Sequence, residues 1–318
     1  MAVGLDTRNV VPALVHRDLA RAISAVENGH ADAVTAGDTF LGAHDESGKK
    51  ASPAYVIGIT GPPGAGKSTL VDRFIERFRA AGERVAVIAV DPSSPFTKGA
   101  VLGDRVRMQR HASDLGVFIR SMATREAAGG LAPATREAVA LADRAGFDVV
   151  LVETVGVGQV ELEIVGVADV IAVVTVPGLG DGVQTIKAGL TEIADIFIVN
   201  MADRPGANAT AVDLLHMVRE SARAVPVLQT TAIDGGGIVE VMEALDGARR
   251  HLSSNAARSV RFDVIRTVRD RAVRAALHAL DSAFGREIAE RLATHSLSRT
   301  QARDLLLDFL HKGEINAD

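Results

Sequence analysis

The chain has 318 residues, 47% hydrophobic and 24% charged, the balance of an ordinary soluble globular protein with room for one large domain and its appendages. A formal net charge of −5, with no local basic patch, gives no attraction to phosphate backbones or anionic lipid, so no nucleic acid and no membrane are expected as partners. The absence of cysteine excludes disulfides, thiolate metal sites and cysteine nucleophiles; with no secretory-type N-terminus or membrane-length apolar run, a soluble cytoplasmic protein is expected.

In chain order, Leu19, Ile23 and Val26 recur at i, i+4 and i+7, with Asn28-Gly29 as a stop, which predicts one amphipathic helix. The polar stretch GAHDESGKKASP follows as a linker, so residues 1–50 form an N-terminal helical extension. Seven β-branched runs then alternate with helix-length segments: YVIGIT (55–60), RVAVIAV (84–90), VFIRS (117–121), DVVLVET (148–154), DVIAVVTV (169–176), DIFIVN (195–200) and VPVLQTT (225–231). Runs apolar on both faces point to an α/β domain over 51–256 with a mainly parallel central sheet covered by helices. Beyond it, residues 257–318 carry three helical stripes: Val264 to Ala279, Phe284 to Leu292, and Ala302 to Leu310. These stripes fit a cap on the chain's own sheet and an arm exchanged with a second subunit equally well.

The segment GPPGAGKST (Gly61, Pro62, Pro63, Gly64, Ala65, Gly66, Lys67, Ser68, Thr69) lies between the strand-like YVIGIT and the helical LVDRFIERF, the spacing and context of a P-loop. Its glycines let backbone N–H groups and a helix N-terminus face phosphate anions. Lys67 is placed to bridge the β- and γ-phosphates, and Ser68 to offer a hydroxyl to Mg²⁺. Two strand-end carboxylates, Asp91 and Glu153, are candidates to hold Mg²⁺ directly or through water. In ETVGVGQ, Gly156 is placed for a γ-phosphate N–H contact and Gln159 for orienting an attacking water. Asp104, with Arg105, Arg107 and Arg110, either folds over the phosphates or belongs to a solvated charged helix.

The run IVNMAD, ending the sixth strand, places Asn200 and Asp203 in a base-reading loop of the Asn-Lys-x-Asp type, with Met201 in the lysine position. Guanine presents a ring N–H beside an amino group, and an ionised carboxylate accepts both, so Asp203 selects GTP over ATP. Asn200 ties this loop to the phosphate loop. Thr231, Ala232 and Ile233, after the seventh strand, resemble the loop that gives a backbone N–H to the guanine oxygen. Met201 supplies the apolar stem of the missing lysine without its ammonium.

Taken together, RDLARAISAVENG, GITGPPGAGKSTLVD, VDPSSP, ETVGVGQVE, VPGLGDGVQTIKAG and VNMADRPGA resemble the MeaB/ArgK family of methylmalonyl-CoA mutase-associated P-loop GTPases. The resemblance covers about residues 16–240. It implies GTP/GDP and Mg²⁺ as cofactors, and adenosylcobalamin-dependent methylmalonyl-CoA mutase as the partner, served by a GTPase that gates cofactor loading and protects the enzyme. It further implies a homodimer formed through the C-terminal helices, a magnesium site of Asp91, Asp104 and Glu153, a switch over Gly178–Gly189, and a role for Lys187 in activated hydrolysis. The competing functions are a P-loop ATPase or kinase, a nickel-insertion GTPase, and a chaperone of another acyl-CoA mutase. Asp203 argues against the first, and the lack of cysteine and His-rich tracts against the second.

Overall fold

Each of the seven β-branched runs forms a strand: β1 (Tyr55–Thr60), β2 (Val85–Asp91), β3 (Val117–Ala123), β4 (Val149–Glu153), β5 (Val170–Thr175), β6 (Ile196–Asn200) and β7 (Val227–Thr230). The computed structural model describes residues 13–28, 53–91, 108–123, 134–154, 161–178, 193–219, 224–250 and Arg291. The chain separates into two units, Met1–Ser259 and Val260–Asp318, and every element named below belongs to the first. The helical arm expected over 257–318 lies outside the described residues, Arg291 apart.

All seven strands are parallel, in the order β3-β2-β4-β1-β5-β6-β7. Strands β1, β4, β5 and β6 are buried at every position. That explains their unbroken runs of Val and Ile, because both faces of a parallel sheet meet helices rather than water. From β1 the chain moves outward to β2 and β3, returns to insert β4 beside β1, and then builds β5 to β7 on the other flank. The strand order therefore reverses around β1, the place where open parallel sheets bind ligands outside the carboxyl ends of their strands.

The opposite, amino edge of the sheet is closed by aspartates. Asp148, Asp169 and Asp195 each precede a strand, and each accepts a backbone N–H from the neighbouring strand: Arg84 at 2.8 Å, Val56 at 2.9 Å and Ile171 at 2.9 Å. In return their own N–H groups donate to the carbonyls of the same three residues. Burial raises the Asp169 pKa above its ordinary value. This pairing satisfies strand-entry donors that no further ladder bond reaches.

Among the described residues five helices flank the sheet: α1 (Ala13–Glu27), α2 (Lys67–Ala80), α3 (Thr135–Arg144), α4 (Ala207–Arg219) and α5 (Ile238–Arg249), with 3₁₀ turns at Gln109–His111 and Glu161–Gly166. Helix α1 buries Val15, Leu19, Ala22 and Ile23, one turn more than the predicted stripe, while Val26 is only half-buried. It packs on α3 and reaches edge strand β3, where Arg120 donates to Ser24 Oγ at 2.9 Å and pairs with Glu27. Helix α2 buries Leu70, Val71, Phe74, Ile75 and Phe78. At about 1.5–3 kcal/mol per fully buried large apolar side chain, this face holds the helix to the sheet and so fixes the loop at its N-terminus.

Candidate nucleotide site

The six residues between β1 and α2 cross the carboxyl end of β5. A Cβ on Gly61 (φ 137°) would lie 1.9 Å from the carbonyl oxygen of Val174, so only glycine lets the chain pass there. Pro63 and Gly64 form the exposed apex, and Ala65 is fully buried beneath it. Gly66 precedes α2 in the left-handed region (φ 83°), and its missing Cβ is the space that Asn200 Nδ2 enters. Gly66 at the N-cap gives α2 no side-chain cap, and the first turn of the helix holds no acidic residue. The positive end of the helix dipole therefore meets no negative side chain of its own first turn and favours an anion. Lys67, 7% exposed, donates Nζ to the Gly61 and Pro62 carbonyls at 2.8 and 3.1 Å, which holds the ammonium against the loop. An ammonium, a helix N-terminus and a glycine-rich turn together make a phosphate cradle.

Because β4 lies beside β1, Ile59 stands opposite Glu153. Ser68 Oγ donates to Glu153 Oε1 at 2.8 Å, and the two residues are 4% and 3% exposed. Thr154, next in the chain, donates its N–H to Ile59 and its hydroxyl to Thr60 Oγ1, at 3.0 and 2.8 Å, which locks the end of β4 against β1. Among the described residues no group of three or more His, Asp or Glu side chains is gathered around one point. The Ser68–Glu153 pair supplies two hard oxygens beside the cradle, a donor set that fits Mg²⁺, an ion that keeps several waters and takes phosphate oxygens. Asp91 ends β2 at the same edge, two positions beyond the residue opposite Glu153; only its backbone is described. Asp104, Arg105, Arg107, Gly156, Gln159 and Lys187 lie outside the described residues, as does all of the expected Gly178–Gly189 switch beyond Gly178 itself.

Of the two alternatives left open for Arg110, the structure shows a charged surface pairing: its guanidinium forks onto Asp72, donating Nε to Oδ1 at 2.7 Å, and reaches Glu76 at 2.6 Å, with His111 Nε2 2.8 Å from Asp72 Oδ1. Two carboxylates one turn apart on α2 capture the cation, because a paired charge close by outweighs a distant one.

On the other side of the cradle, Asn200 is 3% exposed and joins three backbone segments. Its Nδ2 donates to the Ala65 carbonyl at 2.9 Å, while Oδ1 accepts from Thr230 Oγ1 and from the Ala232 N–H, both at 3.1 Å. The partners fix the amide orientation, since only Nδ2 can face a carbonyl. Within the loop at 231–233, expected to offer a backbone N–H to the guanine oxygen, the Ala232 N–H is engaged by Asn200. Thr231 pairs with Gly236, Ala232 is buried, and Ile233 is 79% exposed. Met201 is the one non-glycine residue with positive φ among those described, at 57°. That turn sends Asp203 into solvent and brings the Met201 methyl to Gly66, 3.9 Å from where a Cβ would stand.

Two contributors were not legible in the sequence. Thr230, 1% exposed, holds Asn200. Arg73, on α2, donates Nε to the Ala232 carbonyl at 2.8 Å and Nη2 to the Ile233 carbonyl. In sequence Arg73 forms only an i,i+3 pair with Glu76, the pattern of an ordinary helix surface.

The profile of the family described as "Methylmalonyl Co-A mutase-associated GTPase MeaB" matches residues 19–283. A Pyrococcus abyssi protein and a Caulobacter vibrioides protein, both with GTPase in their names, are 57% identical over 206 residues and 40% identical over 271. The first match covers 63% of this chain and 64% of the relative, so the chain spans just under two-thirds of that protein; the second covers 82% of each. A crystal structure of an LAO/AO transport system kinase superposes with a TM-score of 0.62 at 24% identity, over 95% of this chain and 99% of its own, a likeness of fold. With the phosphate cradle, the Ser68–Glu153 pair and the Asn200 bridge on one edge of a parallel sheet, the match across most of the chain shows that the protein belongs to the MeaB family of P-loop GTPases.

Proposed function

We propose that the protein hydrolyses GTP to GDP and phosphate, and that it serves adenosylcobalamin-dependent methylmalonyl-CoA mutase as a chaperone that gates cofactor loading and protects the enzyme. The observation that carries the nucleotide half is the Asn200 bridge, which ties the loop bearing Asp203 to the phosphate loop through the Ala65 carbonyl. The partner half rests on the family description.

In this reading the backbone from Gly61 to Thr69 cradles the phosphates and Lys67 spans the β- and γ-groups, while Asp203 accepts the guanine ring N–H and amino group. Ser68 and Glu153, with Asp91 and Asp104, would hold Mg²⁺, which when bound neutralises charge developing on the phosphates. Gly156 contributes an N–H to the γ-phosphate, Gln159 orients the attacking water, and Lys187 takes part in mutase-activated hydrolysis. Segments 91–108, 153–161 and 178–189 respond to the γ-phosphate and alter contacts with the mutase, the general device of nucleotide switches. The reading includes a cytoplasmic homodimer formed through the C-terminal helices. No helix among the described residues is long and apolar enough to cross a membrane.

The test is capture of purified mutases on the protein in its GDP and non-hydrolysable GTP-analogue states, followed by a cobalamin-transfer assay. Nucleotide-dependent capture and transfer are expected with methylmalonyl-CoA mutase; capture of another acyl-CoA mutase alone would change the client. Equal capture and transfer in both states would reject gating, and a preference for ATP would reject the base assignment.

A further inference from the structure

We propose that Arg73 is a positioning residue for guanine recognition, setting the loop after β7 so that the Ile233 N–H meets the 6-oxo group of the base; this rests on the GTP reading above. Arg73 sits six residues after Lys67 on α2, the helix whose N-terminus forms the phosphate cradle. At 1.5 Å per residue the two points are about 9 Å apart along one rigid rod.

From there the guanidinium reaches two consecutive carbonyls, Nε to Ala232 at 2.8 Å and Nη2 to Ile233, while Nη1 holds Glu76 Oε2 at 3.1 Å. A planar fork with fixed donors suits two neighbouring acceptors, which a single flexible ammonium does not match. The Ala232 residue is thus gripped on both sides, its carbonyl by Arg73 and its N–H by Asn200 Oδ1 at 3.1 Å.

The consequence follows from peptide geometry. The chain has no cis peptide bond among the described residues, and in a trans peptide the N–H points opposite to the preceding C=O. With the Ala232 carbonyl drawn to α2, the Ile233 N–H is turned away from α2. With the Ile233 carbonyl drawn the same way, the Asp234 N–H turns inward and closes on the Thr231 carbonyl at 3.2 Å. The Ala232 N–H being committed to Asn200, the Ile233 N–H is the donor whose direction Arg73 decides. Phosphate grip and base reading are thereby built on the same helix.

Calorimetric titration of Arg73→Met and Arg73→Lys with GDP and with 6-thioguanosine diphosphate, which keeps the ring N–H and the amino group and puts sulfur, a weak acceptor, in place of the 6-oxo oxygen, tests this. Thermal melts of both variants are recorded alongside, and Arg73→Lys keeps the charge and stem should Arg73→Met fold poorly. GDP affinity is expected to fall about tenfold in Arg73→Met and less in Arg73→Lys, with the analogue changed less than about twofold, so that discrimination between the ligands narrows. Equal losses for both ligands would show a structural staple and overturn the proposal, as would no loss for GDP. A wild-type protein that binds GDP no better than the analogue would overturn the 6-oxo contact itself, a failure visible before any variant is compared.

Discussion

Replacing Asn200 by alanine tests whether one buried amide couples the two halves of the site. The change removes one donated and two accepted hydrogen bonds and strands the Ala65 carbonyl, the Ala232 N–H and the Thr230 hydroxyl. These residues are 0%, 2% and 1% exposed, so bulk water cannot replace the lost partner. A stranded buried group costs about 1–3 kcal/mol, and relaxation recovers part of the sum, which gives an expected loss of about 3 kcal/mol. That is a large fraction of the roughly 5–15 kcal/mol that a typical folded protein has in hand, yet leaves it folded. Urea unfolding should show a lower midpoint with an unchanged slope, and calorimetry should show weakened GDP binding. Asn200→Asp should cost more than alanine despite equal size, because a carboxylate oxygen would face the Ala65 carbonyl where a donor now stands at 2.9 Å. A loss under about 0.5 kcal/mol in Asn200→Ala, the range of inconsequential surface changes, together with unaltered GDP affinity, would refute the coupling.

Gly61→Ala should lose nucleotide binding and at least about 3 kcal/mol of stability, since its Cβ would lie 1.9 Å from the Val174 carbonyl; urea titration and calorimetry check both. Met201→Lys keeps the stem beside Gly66 and adds an ammonium, so GDP affinity measured by calorimetry should rise several-fold with stability within about 0.5 kcal/mol of the parent. His16 has its pKa lowered, first by burial and then by Arg84, against opposing effects of the Leu115 backbone and Asp114. The fold thus binds fewer protons than the unfolded chain below the ordinary histidine value of about 6.5; its contribution is complete above that pH and is lost as pH falls toward the lowered value. Unfolding midpoints at pH 7.5 and 5.5 should therefore differ less in His16→Phe, whose ring can occupy the place beside Phe118 and Phe147.

The N-terminal helix shows where local reading reaches its limit. Its period was visible in Leu19 and Ile23, but the burial of Val15 and Ala22 depends on α3, and the attachment of Glu27 depends on Arg120 of β3. Charged residues near the site behaved likewise. Arg110 could be read as a phosphate ligand until α2 placed Asp72 and Glu76 against it, and Arg73 carried no local signal of its hold on the 232–233 carbonyls.

By itself the sequence determined the elements and the chemical types. Short runs of β-branched residues bounded by turn signals read as strands, the glycine spacing of 61–66 meets a turn that other residues would obstruct, and Asn200 and Asp203 stand where a strand ends. The tertiary structure decided which of these meet. Inserting β4 beside β1 brought Ser68 to Glu153 across 85 residues, and carrying the phosphate loop over β5 brought Ala65 to Asn200 across 135. The physical reason is one of range: periodicity and turn sterics act over a few residues and leave their pattern in the chain, whereas strand order and side-chain pairing are settled by the packing of the whole sheet.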